Sequence, residues 1–180
     1  NDDDTKPHAR LNAVWTLTRI SHAKARQVVR GALSDADALV QQAAIASVSL
    51  WRDVLAVEAL SRLLSDPSRH TRRAAAEALG RIGDSRAVPA LLQAAAEQSG
   101  RVLEHAITYA LIEIADSERT SEELKTPNPL VNRAAMIALD QMDGKPLQPD
   151  HVIKLLDAKN SVLQSTASWI INRHVEWGDS

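Results

Sequence analysis

Thr71-Arg72-Arg73-Ala74-Ala75-Ala76-Glu77-Ala78-Leu79-Gly80-Arg81-Ile82-Gly83-Asp84 is the stretch that decides the fold. Ala75, Leu79 and Ile82 stand at i, i+4 and i+7, one face of an α-helix. Gly83-Asp84-Ser85 then reads as a helix stop and a new start, with Asp84 or Ser85 as the candidate N-cap. Working outward, the same triad recurs at Ala13/Leu17/Ile20, Ala44/Val48/Trp51, Ile107/Leu111/Ile114, Ala135/Leu139/Met142 and Ala167/Ile171/His174. First members are 31, 31, 32, 28 and 32 residues apart, and Leu33, Leu64, Ala96, Leu124 and Leu156 each precede the next by eleven. Two columns that hold register over five units mark an internal repeat.

A shorter helical segment lies between successive anchors, which predicts eleven helices. The anchored ones (B helices) are expected near 8–20, 37–50, 68–82, 101–115, 128–142 and 161–174. The others (A helices) are expected near 22–33, 52–64, 85–98, 118–125 and 149–157, the fourth being cramped. All seven prolines fall at helix ends or between helices, where they do no harm. No alternating strand pattern is long enough to count.

Composition agrees with a thin core. The 180 residues include 29 Ala and 21 Leu, against one Tyr, four Trp and no Phe. Small residues flank the anchors, at Ala43/Ser47, Ala74/Ala78, Ala106/Ala110 and Ala134/Ala138. Such a stripe lets neighbouring helices approach closely along a stack, where a single nucleus would want large aromatics. The zero cysteine count excludes a disulfide framework, an Fe–S cluster, a thiol nucleophile or covalent haem attachment within these residues. A net charge of -2 argues against a uniformly basic nucleic-acid binder.

With those residues in view, the units resemble HEAT repeats, most of all the short bacterial kind found in phycobilisome-lyase relatives. The quoted stretch, followed by Ala87-Val88-Pro89-Ala90-Leu91, carries the likeness. The resemblance implies an all-α, right-handed α-α superhelix of about eleven antiparallel helices in five to six repeats. It implies one solenoid over residues 8–177, with residues 1–7 as a disordered or cut N-terminal edge and residues 178–180 as a cut C-terminal edge. Arg10 to Leu17, Ala134 to Met142 and Trp169…Arg173-His174-Val175-Glu176-Trp177-Gly178-Asp179 resemble a second group. In that group, large bacterial proteins carry a dehydrogenase-like β-propeller before the repeats and a c-type cytochrome domain after them. That likeness implies an extracytoplasmic, periplasmic location; the composition itself leaves the compartment open. The N-terminus, without an initiator Met or an apolar run, reads as the cut edge of a longer polypeptide. Both ends look like interior units, the last B helix having no polar cap.

Reaction chemistry is hard to place. No two of His8, His22, His70, His105, His151 and His174 lie within four residues, so no helical metal-ligand pair forms, and they read as solvated or edge residues. Gly80 and Gly83 are three apart but read as helix terminators, not as a phosphate cradle. Glu118, Glu122 and Glu123 read as a solvated loop face. No cofactor, metal or catalytic residue is assigned, and the chain reads as no enzyme.

What remains is a stripe on the B helices, two residues before, two after and six after each anchor. Its binding candidates are Trp15, Arg19, Arg73, Glu77, Arg81, His105, Tyr109, Arg133, Trp169 and Arg173, with Leu11, Gln42, Ala46, Leu50, Glu113, Ile137, Gln141 and Ser165 completing the columns. In a HEAT-like solenoid the B helices line the concave side. Aromatic and Arg residues are favoured at interface hot spots, so the stripe is expected to bind a protein segment or a neighbouring domain of the same polypeptide. The competing expectation is that Trp15 and Trp169 merely fill gaps between helices. Residues 5–90 carry 13 Lys/Arg against 7 Asp/Glu, and 91–180 carry 8 against 13. Arg69, Arg72 and Arg73 cluster, but Glu77 and Glu113 interrupt the track that phosphates require, so nucleic-acid binding is the lesser alternative. A scaffold or interaction module is the leading expectation; an auxiliary domain of a dehydrogenase and c-type cytochrome redox protein is the other. No membrane insertion is expected, since no run reaches the roughly 20 apolar residues a span needs.

Overall fold

The computed structural model describes residues 5–97, 100–144 and 146–179. Among them are eleven α-helices and no strand. The B series is α1 (Thr5–Thr18), α3 (Ala38–Leu50), α5 (Arg69–Ile82), α7 (Arg101–Ile114), α9 (Pro129–Gln141) and α11 (Ser161–Ile171). The A series is α2 (Ala23–Gly31), α4 (Val57–Leu63), α6 (Val88–Ala95), α8 (Ser117–Glu122) and α10 (Pro149–Ile153). Each B helix packs on the next, and the A helices form a second layer against them. The result is a HEAT-like solenoid.

Local chemistry sets each start. At α3, α9 and α11 the Asp37, Asn128 and Asn160 side chains each accept from two backbone N–H groups, and Ser68 accepts from Thr71 at α5. The A segments begin at a column that sequence reading glimpsed only at Asp84. Asp53, Asp84 and Asp116 accept from Leu55, Arg86 and Arg119, and His22 Nδ1 accepts from Lys24. These acceptors satisfy N–H groups that the first helical turn leaves without partners.

The core runs the length of the array. Ala44, Ala75, Ile107, Ala135 and Ala167 are all buried, as are Val48, Leu79, Leu111 and Leu139. The first unit departs from register: Val14 is the buried residue of α1, while Ala13 and Ile20 are exposed. The expected N-terminal edge, residues 1–7, is helical from Thr5, and Asn1 to Asp4 lie outside the described residues. The fourth A segment, expected to be cramped, is a six-residue helix closed by a 3-10 turn, Glu123–Lys125.

An amide clasp ties the two layers. Gln41 Nε2 donates to the Leu33 carbonyl (3.1 Å), Asn132 Nδ2 to Leu124 (2.6 Å) and Gln164 Nε2 to Leu156 (3.0 Å). Each donor stands three residues before an anchor and each acceptor eleven before it. The bond therefore satisfies a carbonyl at the end of an A segment from the B helix beside it.

Two sequence expectations need correction. Gly80 does not terminate a helix; it lies inside α5, buried, where a Cβ would stand 2.7 Å from Ala110 Cα of α7. The helices approach so closely that only hydrogen fits there. His174 is neither solvated nor at an edge. It is buried, with Nε2 2.5 Å from Asp140 Oδ1 and Nδ1 2.7 Å from Glu176 Oε1. Trp177 stacks on its ring at 4.0 Å, so α11 is followed by a polar clasp that the sequence did not disclose.

Candidate functional site

The stripe on the B helices is exposed as its helical spacing requires. Trp15, Arg19, Arg73, Glu77, Arg81, His105, Tyr109, Trp169 and Arg173 are exposed, and Arg133 is partly so. Trp15 and Trp169 keep 48% and 42% of their surface in contact with solvent.

Where α7, α9 and α11 run side by side, the stripe sinks into a groove of about 690 Å³. His105, Tyr109, Arg133 and Trp169 line it, joined by Ile137, Gln141 and Ser165 of the same columns. Trp15, Arg19, Arg73, Glu77, Arg81 and Arg173 are not among its lining residues. Arg173 nevertheless lies 4.6 Å over the Trp169 ring in a cation–π contact. The ribbon expected from sequence is thus one exposed face with its concavity in the last three B helices.

Arg101, Glu104, Thr108 and Ile112 also line the groove and were not singled out from sequence. They stand at i, i+3, i+7 and i+11 on α7, so helical spacing puts them on one stripe beside the His105/Tyr109 column but does not say which way that stripe faces. Glu104 forms an ion pair with Arg133 at 3.3 Å, tying the α7 wall to the α9 wall. The protonation state of Tyr109 follows from its neighbours. The Glu113 carboxylate beside its hydroxyl pushes the phenol above its ordinary range, with Arg81 pulling weakly the other way. It therefore stays neutral and donates, and the His105 ring tilts against it at 6.4 Å.

Several arginines outside the groove pair with carboxylates at the surface. Arg72 pairs with Glu97 (3.5 Å), Arg73 with Glu77 (3.2 Å), Arg62 with Glu58 (2.7 Å) and Arg86 with Asp84 (2.6 Å). Within the Arg69/Arg72/Arg73 cluster, Arg72 and Arg73 thus each face a carboxylate, which interrupts a continuous positive track. Among the described residues no group of three His, Asp or Glu side chains is placed to hold a metal ion. None of the described helices is long and apolar enough to cross a membrane.

Comparison with known proteins agrees with this architecture. The family of HEAT repeats matches residues 32–112. The structure of the complex of CpcE and CpcF of phycocyanin lyase from Nostoc sp. PCC7120 is similar, with 25% identity and a TM-score of 0.56. That alignment covers 88% of this chain and 68% of the other. A crystal structure of an engineered protein aligns at 18% identity and a TM-score of 0.49, over 94% and 90% of the two chains. No curated protein matches. The chain thus folds as a HEAT-like α-solenoid whose central units, residues 32–112, match the family of HEAT repeats and whose flanking units repeat their columns and packing.

Proposed function

We propose that this solenoid is a non-enzymatic protein-interaction module, and that the groove between α7, α9 and α11 is its docking surface. The observation that carries the reading is the groove's lining. Two half-exposed aromatics, Tyr109 and Trp169, face apolar Ile137, with Arg101 and Arg133 at hand for a partner's carboxylates or carbonyls. Large aromatic and Arg side chains held in a concavity are the composition of an interface hot spot. The occupant is a segment of another protein, or of a neighbouring domain in the same polypeptide. The ion pairs that consume Arg72 and Arg73 favour this over a nucleic acid.

Selection of a displayed random-peptide library on the protein tests the reading. Binders should be recovered, and Tyr109→Ala with Trp169→Ala should weaken them by roughly 30-fold or more, the scale of losing a hot spot. Failure to recover binders, or binders indifferent to this double variant, would overturn it. Thermal melting of the variant separates lost binding from lost fold.

A further inference from the structure

Residues 5–34 contain six Lys/Arg and no Asp or Glu. Two of the six are spent inside the fold: Arg10 pairs with Asp35 at 2.8 Å and Arg30 with Asp53 at 2.6 Å. Arg19 and Lys24 make no salt bridge among the described residues, nor does Arg26, whose guanidinium lies 5.3 Å over the Trp51 indole. Trp51 Nε1 in turn donates to the Thr18 carbonyl at 3.2 Å, which brings the α1–α2 and α3–α4 turns to one edge. Arg52, in the second turn, adds another cation without a salt bridge. The one acid there, Asp53, is buried against Arg30.

The same edge exposes aliphatic side chains. Leu50 and Leu55 are 67% and 69% exposed, and Ile20 and Val54 stand beside them nearly half-exposed. The pattern stops at the next turn, where Arg86 closes on Asp84 at 2.6 Å and donates to the Val54 carbonyl.

We propose that this edge adsorbs reversibly to an anionic lipid surface. Ile20, Leu50, Val54 and Leu55 would enter the boundary between headgroups and acyl chains. Arg19, Lys24, Arg26 and Arg52 would meet the lipid phosphates. A nucleic acid could use the cations but would leave four aliphatic side chains in water. A protein partner would need a hollow shaped to these projecting tips, whereas a fluid lipid layer conforms to them. Exposed apolar tips ringed by cations are what interfacial binding requires.

Sedimentation of the protein with phosphatidylcholine vesicles, with and without phosphatidylserine, tests the proposal. Binding is expected only with phosphatidylserine present, and should fall steeply with added salt. Each basic residue near such a surface is worth roughly fivefold in partitioning, so Arg19→Gln/Lys24→Gln/Arg52→Asn should lose about a hundredfold. Leu50→Ser/Leu55→Ser should weaken binding as well, both residues being too exposed to threaten the fold. Equal binding to both vesicle types, or to neither, overturns the proposal. So does a Leu50→Ser/Leu55→Ser variant that binds vesicles unchanged. Capture of an oligothymidylate or of polyglutamate, with the vesicles ignored, overturns it in favour of a nucleic acid or an acidic protein.

Discussion

Replacing Gly80 by alanine sets two physical effects against each other with opposite signs. Gly80 lies in the interior of α5, where alanine would ordinarily stabilise a helix by about 1 kcal/mol. Its added Cβ, however, would stand 2.7 Å from Ala110 Cα and 3.0 Å from Ala110 Cβ. Carbon atoms in contact prefer about 3.5–4.0 Å, so the shortfall is on the order of 1 Å. The obstacle is backbone and cannot rotate away; α5 and α7 must move apart. Overpacking of this kind costs about 2–3 kcal/mol. The net loss is then about 1–2 kcal/mol, a Tm drop of roughly 2–8 °C for a chain of this size. Urea and thermal denaturation followed by circular dichroism measure it. Gly31→Ala is the internal control, because Gly31 is helical and nothing lies within 4 Å of its added Cβ. It should gain about 0.5–1 kcal/mol. Ala110→Gly in the Gly80→Ala background should rescue only part of the loss, since the contact with Ala110 Cα remains. A Gly80→Ala protein as stable as the parent, or more so, would refute close α5–α7 packing.

Ala115 ends α7 at φ +56°, the left-handed conformation that Gly83 supplies at the end of α5. Ala115→Gly should therefore stabilise the fold by about 0.5–1 kcal/mol, read as a higher urea midpoint. Asn132→Ala breaks the 2.6 Å clasp to the Leu124 carbonyl and should cost about 1 kcal/mol. The loss is not larger because Asn132 Oδ1 is buried without a partner and disappears with it. Burial pushes His174 down, but its bonds to Asp140 and Glu176 outweigh this and hold its pKa above the usual imidazole value. A raised folded pKa contributes stability in full below pH about 6.5, and that stability fades as pH rises through the folded value. The stability gap between the parent and His174→Gln should thus narrow from pH 6 to pH 9; a gap that stays constant or widens would contradict it.

Much of the fold was legible because its determinants are local and recur. A 31-residue period in Ala, Leu and breaker residues gave the B helices to within about three residues at either end, against the observed α3, α5, α7, α9 and α11. The stripe was legible for the same reason, since helical spacing alone decides which residues share a face with Ala75 or Ile107. The candidate groove was half legible. His105, Tyr109, Arg133 and Trp169 came from the columns, but Arg101, Glu104, Thr108 and Ile112 did not. Their place on the wall depends on how α7 is rotated against α9.

The sequence by itself determined the period, the helices, the Ala-rich core and the exposed face of the B helices. Only the tertiary structure decided where that face becomes concave. It alone placed Gly80 against Ala110 and joined His174 to Asp140 across 34 residues of chain. It also paired most of the basic half's arginines and left Arg19, Lys24, Arg26 and Arg52 without salt bridges at one edge. The physical reason is range. Helix propensity, capping and spacing act over a few residues and repeat with the sequence. Close approach, burial of a charge and pairing of distant side chains depend on the distances between helices, which no single unit encodes.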